Sequence, residues 1–436
     1  MTYTSNHITS IINYLNQHAD YAVLRNFEGL PDKNKSRDID IIITPESFEK
    51  NRKGLNKLMV ADGWQIVTYL DSDRLITYIC GRCDDDDVEL VQWDFFVNTS
   101  VWGLELMSAE EFLEHKTFNG FLYHIGVEAQ FLDKYLYNRT VGAKYPEKYA
   151  ETRKAAEHSE IVEAKLLKTF GIKTVEECDA VQGRGLLKKV IAYNMKNPLK
   201  CIGGVGKFIY TFAKNYICSN TGFSIGFTGP DGAGKTTVID MTLDTLGDVI
   251  KSAHVYYHFR PTLFGNLGEV AHAAGVKKEV DRNYSDPHRG GKKGTLSSLC
   301  RLAYYSIDYI LGYFVKVKTY TRISKYVIFD RYYTDIICDS RRSCIYLPKK
   351  FLYCFGKLFI PSLDYNILLT ADTETILQRK KELDAEGIAD INSKIDYLST
   401  KSGYLKVLNN STPDMAVHQI IKHIFDEQHK RNISRI

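Results

Sequence analysis

The pattern of apolar and polar residues divides the chain into three zones. In the first zone, which runs to about Tyr149, segments with helical spacing alternate with short strand-like runs. Residues 38–44 (DIDIIIT) and 88–97 (VELVQWDFFV) are rich in β-branched and aromatic residues, which predicts strands. We therefore predict an α+β domain over residues 1–150.

A different alternation begins after residue 220. The strand-like run 223–228 is followed by helical spacing, and the apolar runs 326–329 and 365–369 resemble parallel strands that are buried on both faces. A repeated strand–helix–strand order predicts a parallel sheet in an α/β fold. Residues 221–436 are therefore predicted to form an α/β domain, and the helical residues 151–220 are predicted to connect it to the first.

The connector becomes strongly basic toward its end. Residues 183–218 contain seven lysines and arginines and no aspartate or glutamate, interleaved with tyrosine, phenylalanine and isoleucine. Such a segment can lie on an acidic surface, either lipid headgroups or nucleic acid. A solvated linker face is the alternative, and both interpretations stay open. Peripheral membrane contact is therefore one hypothesis for this segment.

Composition is that of an ordinary globular protein. The 436 residues are 44% hydrophobic and 25% charged, and a net charge of +4 is too small for this length to indicate a nucleic acid partner. The nine cysteines follow neither disulfide nor zinc-site spacing. The first 20 residues lack the basic head and apolar core of a signal peptide. We therefore expect a cytoplasmic protein with reduced thiols.

Residues 229–236, GPDGAGKT, fit the phosphate-binding pattern G-x-x-x-x-G-K-S/T. A predicted strand precedes the pattern and a predicted helix comes after it, as its mechanism requires. Glycines let backbone N–H groups converge on a phosphate at the helix N-terminus. Lys235 can then bridge the β- and γ-phosphates, while the Thr236 hydroxyl can ligate Mg²⁺. The predicted ATP-binding residues are Gly229, Asp231, Gly232, Ala233, Gly234, Lys235, Thr236 and Thr237.

A second apolar strand ends in an acidic residue. In YVIFDRYY (326–333), Asp330 stands where a carboxylate can hold Mg²⁺, and Arg331 is the next residue. The planar, permanent charge of Arg331 suits a phosphate or another anion. Because the chain has neither a guanine-specific motif nor the long insertion of mechanical ATPases, these residues favour a kinase with a small acceptor.

Together, GPDGAGKTT and DRYY resemble the thymidylate kinase family of P-loop kinases, over about residues 222–430. The resemblance implies that Asp231 reaches toward the acceptor sugar and that Arg331 binds the acceptor phosphate. It also implies a mobile lid with basic residues on a helix after a later strand. Arg379 is the lid candidate, since lid cations can neutralise charge on the moving phosphoryl group. An exposed helix face is the alternative for residues 379–381.

Other segments depart from that family. His258–Pro261 lies roughly where the family has an acceptor-binding arginine, but its neighbours differ. Residues 286–294 form an unusual basic stretch, and Arg341 and Arg342 come after the DRYY run. The pattern resembles thymidylate-kinase-like proteins that accompany bacterial surface-polysaccharide genes. The acceptor is therefore predicted to be a nucleoside monophosphate or a sugar or glycan precursor.

Carboxylates also mark the first zone. Asp38 and Asp40 project to one side of a predicted strand, and Asp94 lies on another. Three such carboxylates can hold two metal ions for nucleotidyl transfer. The layout resembles the polymerase-beta-type nucleotidyltransferase superfamily, although Gly29 and Ser36 are separated where that superfamily has an adjacent Gly-Ser pair. The resemblance implies metal binding by all three aspartates, and a domain of this shape that binds a ligand without chemistry is the alternative.

The sequence supports three hypotheses about function. In the leading one, ATP and Mg²⁺ serve a cytosolic kinase whose phosphoryl transfer is performed by Lys235, Asp330, Arg331, Arg379 and Asp231. In the second, the protein is a nucleotide-gated regulator that turns over no small acceptor. In the third, the nucleotidyltransferase-like domain performs the main chemistry. A homodimer is compatible with the sequence, and no nucleic acid partner is expected.

Overall fold

The computed structural model describes residues 2–34, 38–84, 87–218, 221–247, 254–263, 294–323, 325–380 and 383–436. The chain divides into two compact units, one of Met1–Ser219 with Phe425–Ile436 and one of Asn220–Ile424. The end of the chain, which the sequence places with the ATP-binding domain, thus packs within the first unit. The connector predicted over residues 151–220 also contributes to this unit, because its apolar residues share a core with the preceding strands and helices.

In the first unit, the described strands are β1 (Tyr21–Val23), β2 (Asp38–Ile43), β3 (Gln65–Asp71), β4 (Leu75–Cys83), β5 (Val88–Phe96), β6 (Asn98–Val101), β7 (Leu104–Ser108), β8 (Thr117–Phe118) and β9 (Tyr123–His124). The helices are α1 (Tyr3–His18), α2 (Pro45–Met59), α3 (Ala109–Leu113), α4 (Val127–Val141), α5 (Ala150–Ala156), α6 (Glu160–Phe170), α7 (Val175–Ala180), α8 (Leu187–Asn194) and α9 (Pro198–Cys218). Short 3₁₀ turns occur at Ala61–Gly63 and Glu147–Tyr149.

A mixed sheet organises the first unit. Its strand order is β3-β4-β5-β2-β1-β9-β8, while β6 and β7 form a separate hairpin. Successive residues of a strand point to opposite faces, and the central strand β2 therefore contributes to two cores. Ile41 and Ile43 pack into one core with α1, and Ile42 packs into the other with α4. Asp38 and Asp40 share the face of Ile42 by the same alternation.

The edge strand β3 is covered by the end of the chain. Asn432 donates a hydrogen bond from Nδ2 to the carbonyl of Val67 at 3.0 Å. The backbone N–H of Ile66 donates to Nδ1 of His429, also at 3.0 Å. Because an uncovered edge presents unpaired backbone groups, these residues complete the sheet.

In the second unit, the described strands are β10 (Ser224–Thr228), β11 (Val255–His258), β12 (Val327–Asp330), β13 (Tyr365–Thr370) and β14 (Leu405–Leu408). The helices are α10 (Lys235–Gly247), α11 (Thr295–Gly312), α12 (Lys318–Arg322), α13 (Tyr333–Cys338), α14 (Ser340–Ser343), α15 (Lys349–Phe359), α16 (Thr373–Arg379), α17 (Ala385–Ser399) and α18 (Pro413–Asn432), the last of which continues into the first unit. A π-helical turn, Tyr313–Val317, joins α11 to α12.

The second unit has the predicted parallel α/β architecture. Its sheet has the order β11-β12-β10-β13-β14, and each neighbouring pair is parallel. Every residue of β10 and β12 is buried, which explains why their central residues are apolar on both faces. The carboxyl ends of parallel strands lie at one edge of the sheet, where open α/β folds bind ligands.

Within the described residues, no helix combines the length and apolarity needed to cross a membrane.

Candidate active site

The loop between β10 and α10 has a backbone shape that only glycine adopts without strain. Gly232 and Gly234 have φ angles of 89° and 86°, in the left-handed region. Gly229 lies so close to β13 that a Cβ atom there would come within 2.0 Å of the Leu369 carbonyl oxygen. The helix α10 begins directly after the loop, at Lys235. The backbone therefore requires glycine at each of the three glycine positions of the predicted phosphate-binding pattern.

Lys235 is folded into this loop. Its Nζ donates to the carbonyl oxygens of Gly229 at 2.9 Å and Pro230 at 3.1 Å, and it lies 3.8 Å from the Asp231 carboxylate. The residue is 6% exposed. Burial and the nearby charge of Arg331 lower the pKa of Lys235 to about 8. The ammonium group is therefore held inside the loop, where an entering phosphate can replace the carbonyl oxygens as its partner.

Asp231 is bound by two arginines. Arg331 donates from Nη2 to Oδ1 of Asp231 at 2.6 Å, and Arg342 donates from Nη2 to Oδ2. Arg342 is held in turn by Asp339, whose carboxylate lies 3.5 Å from its Nε. Two guanidinium groups thus contact Asp231, and the sequence had predicted a role at this site for only one of them, Arg331.

Arg331 itself has an unusual backbone. Its φ angle is 74°, a left-handed conformation that is unfavourable for a residue with a side chain. The backbone N–H donates to the Phe227 carbonyl at 2.9 Å, and Nε lies 3.8 Å from the carboxylate of buried Asp335. Burial raises the pKa of Asp335 to about 6. These contacts fix the direction of the guanidinium group toward the loop.

Asp330 ends β12, as predicted, and its carboxylate has several partners. Its Oδ2 lies 3.3 Å from Nδ1 of His258 and accepts a hydrogen bond of 3.3 Å from the Tyr256 hydroxyl. Burial acts to raise the pKa of Asp330, but His258, Arg331 and Lys235 outweigh it and lower the pKa to about 2. The carboxylate is therefore ionised at neutral pH.

The surroundings of Asp330 fit a divalent cation. The second oxygen, Oδ1, is buried and has no hydrogen-bond partner among the described residues. Such an atom is costly unless a ligand satisfies it. Thr236 is exposed in the first turn of α10 and can offer its hydroxyl to the same ion. These two residues are the ones that would hold Mg²⁺.

Arg379, the lid candidate, lies at the end of α16 beside the P-loop. It donates from Nη1 to the Asn409 carbonyl at 2.9 Å, and a Cβ atom on Gly234 would be 4.0 Å from that same nitrogen. Asn409 also donates from Nδ2 to the Ala233 carbonyl at 2.8 Å. The guanidinium group is therefore close enough to act on a bound nucleotide. The lid role stays a prediction, and Lys381 lies outside the described residues.

The candidate acceptor arginine of the segment His258–Pro261 has a different environment. Arg260 is buried and pairs with Asp308, which is fully buried, at 2.9 Å. Its guanidinium group lies 4.8 Å from the ring centre of Tyr305. We infer that Arg260 anchors α11 to the end of β11. Of the unusual stretch 286–294, only the last residue belongs to the described part of the chain.

Several residues of this site were not predicted from the sequence. His258 reaches Asp330 because the parallel register of β11 and β12 pairs the two positions. In the sequence, Arg342 stands out only as part of an arginine pair, and no motif marks Asn409. The contact of His258 could have been predicted from the strand register, since His258 and Asp330 end neighbouring strands. The position of Arg342 depends on the turn between α13 and α14, which no short motif marks.

In the first unit, Asp40 and Asp94 are direct neighbours across β2 and β5. Asp94 accepts hydrogen bonds from Thr77 at 2.6 Å and from Gln92 at 2.8 Å. Burial, with the charge of Asp40 adding to it, raises the pKa of Asp94 to about 6. Asp38 lies two residues before Asp40 and is paired in register with Gln92. The predicted carboxylates thus share one face of the sheet.

A guanidinium group already occupies this face. Arg25 binds Asp40 through Nε at 2.6 Å and Asp133 through Nη1 at 3.2 Å. Burial acts to lower the pKa of Arg25, but the two carboxylates outweigh it and raise that pKa. Among the described residues, no three His, Cys, Asp or Glu side chains are grouped so that they could hold a metal ion. The arrangement does not fit a two-metal site.

The metal-binding role predicted for Asp38, Asp40 and Asp94 therefore stays a prediction that this geometry does not support. Ser36, the second half of the degenerate Gly-Ser element, lies outside the described residues. A nucleotidyltransferase-like fold of the first unit is likewise still a prediction.

Comparison with known proteins adds little to this geometry. No protein-family model matches the sequence, and no curated protein matches it. Among solved structures, a thymidylate kinase from Ehrlichia chaffeensis is similar over 47% of this chain and 98% of its own, with 16% sequence identity and a TM-score of 0.32. A match of that strength assigns neither a fold nor an activity. A function can therefore be inferred only from the contacts that the P-loop makes with its neighbours.

Proposed function

We propose that the second unit is an ATP- and Mg²⁺-dependent phosphotransferase. The observation that carries this proposal is the convergence of charged groups at the carboxyl ends of β10 and β12. Arg331 lies 2.6 Å from Asp231 and 3.5 Å from Asp330, and Lys235 lies 3.8 Å from Asp231. A buried cluster of this kind beside a glycine-rich loop is suited to binding phosphates and stabilising their charge.

In the proposed complex, the loop N–H groups and Lys235 hold the phosphates of ATP. Mg²⁺, when bound, would neutralise phosphate charge, with Asp330 and Thr236 as its protein ligands. The bond between the γ-phosphorus and its bridging oxygen breaks and leaves that oxygen on ADP, while the same phosphorus bonds to an acceptor oxygen. If the acceptor oxygen belongs to a hydroxyl, its proton passes to solvent. The residues contribute chiefly position and charge, because phosphoryl transfer requires little covalent chemistry from the protein.

The acceptor is proposed to be a nucleoside monophosphate or a sugar or glycan precursor. Arg331, directly after β12, and Arg342, in α14, converge on Asp231. An anionic acceptor can compete for these guanidinium groups, since each offers paired donors that match phosphate or carboxylate oxygens. Asp231, once released from an arginine, can accept a hydrogen bond from an acceptor hydroxyl.

The test is an acceptor screen with the full-length protein. Mg·ATP is mixed with single nucleoside monophosphates or sugars, ADP release is measured, and the product is identified by the mass of one added phosphoryl group. We expect acceptor-dependent ADP release that the Lys235→Ala variant loses and the Lys406→Ala variant, altered at an exposed lysine of the same unit, retains. Full turnover by Lys235→Ala would contradict the proposal.

The same screen distinguishes the nucleotide-gated regulator. That alternative predicts ATP binding, measurable by calorimetry, without turnover of any acceptor. For the first unit we propose no metal-dependent step, because Arg25 already pairs with Asp40. Asp38→Asn and Asp40→Asn variants are therefore expected to retain the acceptor-dependent activity, whereas its loss in folded variants would indicate a role for the first unit in the chemistry.

A further inference from the structure

Helix α9 presents an apolar surface to solvent. Seven of its large apolar or aromatic side chains are 36–85% exposed. A helix on the surface of a globular protein normally directs such residues to the core. Those exposed are Leu199, Ile202, Ile209, Tyr210, Phe212, Tyr216 and Ile217. With about 3.6 residues per turn, they form one continuous face along the helix.

A different side of α9 attaches it to the first unit. Cys201 and Thr211 are each 8% exposed. Gly204 approaches Gly103 so closely that a Cβ atom on Gly204 would lie 2.4 Å from the Gly103 carbonyl oxygen. Asn215 donates from Nδ2 to the Asp71 carbonyl at 2.9 Å. The helix is therefore fixed along one side, and its apolar face is not the side that the described residues of the unit use for packing.

The lysines of α9 form a line between these two sides. Lys200, Lys207 and Lys214 recur every seven residues, a spacing that keeps them on one edge of a helix. All three are exposed. No acidic residue occurs between positions 183 and 218, which include four further lysines and arginines. An exposed apolar face next to a row of cations is the arrangement of helices that lie in a membrane interface.

We propose that α9 binds the surface of a bilayer that contains anionic lipids. Its apolar face would enter the headgroup region, and Lys207 and Lys214 would contact lipid phosphates beside it, whereas Lys200 already pairs with Glu105 at 2.7 Å. Charge favours this occupant over a second copy of the chain, because a second α9 would bring the same lysines and no acidic residue of its own to pair with them. This surface belongs to the first unit, and the proposal does not depend on the phosphotransferase activity.

Sedimentation with lipid vesicles tests the proposal in the full-length protein. Vesicles of phosphatidylcholine alone are compared with vesicles that also contain phosphatidylglycerol. We expect the protein to sediment with the anionic vesicles and to stay in solution with the neutral ones, and the bound fraction to fall at high salt. Equal binding to both vesicles, or binding to neither, would overturn the proposal.

A matched pair of variants separates a specific effect of α9 from net charge. Lys207→Glu with Lys214→Glu should weaken binding to anionic vesicles roughly tenfold or more. Lys53→Glu with Lys57→Glu makes the same charge change on exposed positions of α2 and should leave binding within about twofold of the wild type. An equal loss in both variants would show that only net charge matters and would overturn the assignment to α9.

The apolar face needs its own variant. Ile209→Ser with Ile217→Ser should reduce vesicle binding while circular dichroism shows an unchanged fold, because both residues are well exposed. Light scattering of the free protein identifies the competing occupant. A dimer that becomes a monomer in this variant, without vesicle binding in the wild type, would assign the face to a second copy and overturn the proposal.

Discussion

Arg331 donates a hydrogen bond of 2.6 Å from Nη2 to Oδ1 of Asp231. This contact links the end of β12 to the P-loop, although the two residues are 100 positions apart in the chain. Both side chains are less than 10% exposed. Because a buried charge needs a partner, Asp231 in the P-loop and Arg331 after β12 depend on each other for their positions.

We expect this dependence to appear in the kinetics. Asp231→Asn and Arg331→Gln should each lower kcat/KM for the acceptor on the order of 100-fold, since each removes a positioned charge from the site. The double variant should be little worse than the poorer single one, because contacting residues couple. Acceptor-dependent ADP release measures all three. If the loss of kcat/KM in the double variant equals the product of the two single losses, the residues act independently.

Asn409 is expected to support the P-loop. Its Nδ2 donates to the Ala233 carbonyl, and the residue is 2% exposed. Asn409→Ala leaves that buried carbonyl without its partner, which should cost about 1–3 kcal/mol of unfolding free energy and weaken ATP binding. Urea denaturation and calorimetry measure the two effects. Ser402→Ala, at an exposed position of the same unit, should cost less, and equal costs would contradict the assigned role.

Arg25 is expected to be a structural residue. It is buried between Asp40 and Asp133, and removal of one member of a buried ion pair typically costs about 3–5 kcal/mol. Arg25→Ala should therefore destabilise the first unit strongly in urea denaturation. Lys173→Ala, which removes a lysine whose side chain is 70% exposed and pairs at 3.8 Å, should have a far smaller effect. A stable Arg25→Ala protein that binds Mn²⁺ would instead favour a metal site at these carboxylates.

His7 predicts a pH dependence of stability. It lies against Trp64 with ring centres 4.4 Å apart, and Trp93 donates from Nε1 to its Nε2 at 3.3 Å. Burial lowers the pKa of His7 from 6.5 to about 3. The contribution of neutral His7 is thus fully present above pH 6.5 and is lost as pH falls toward 3, because only the unfolded chain binds the proton in that window.

The free energy of unfolding should fall by up to about 1.4 kcal/mol per pH unit within this window. His7→Gln, which can still accept from Trp93, should reduce this dependence by the contribution of His7, whereas His115→Gln, at an exposed histidine, should leave it unchanged. Denaturation in urea at several pH values measures the slopes. Equal slopes in the two variants would show that His7 is not the group responsible.

Local patterns predicted part of this structure well. The strands β10, β12 and β13 and the loop before Lys235 are encoded by apolar runs and a glycine spacing that are continuous in the sequence. Arg25 could not be found in this way, because its partners Asp40 and Asp133 are 15 and 108 residues away. The carboxylates of β2 suggested a metal, since nothing near them in the sequence shows that an arginine folds onto them. Contacts of this kind depend on strand register and helix packing, which short motifs do not specify.

The first unit is assembled from both ends of the chain, and its edge strand β3 contacts Asn432 and His429. During synthesis, the strands of this unit leave the ribosome long before the residues that cover their edge. For that interval the growing chain exposes a strand edge to pairing with other chains. The sheet can reach its final form only after the whole second unit has been translated. Translation of residues 429–432, rather than the completion of the strands themselves, is therefore the step after which the edge of β3 can be covered.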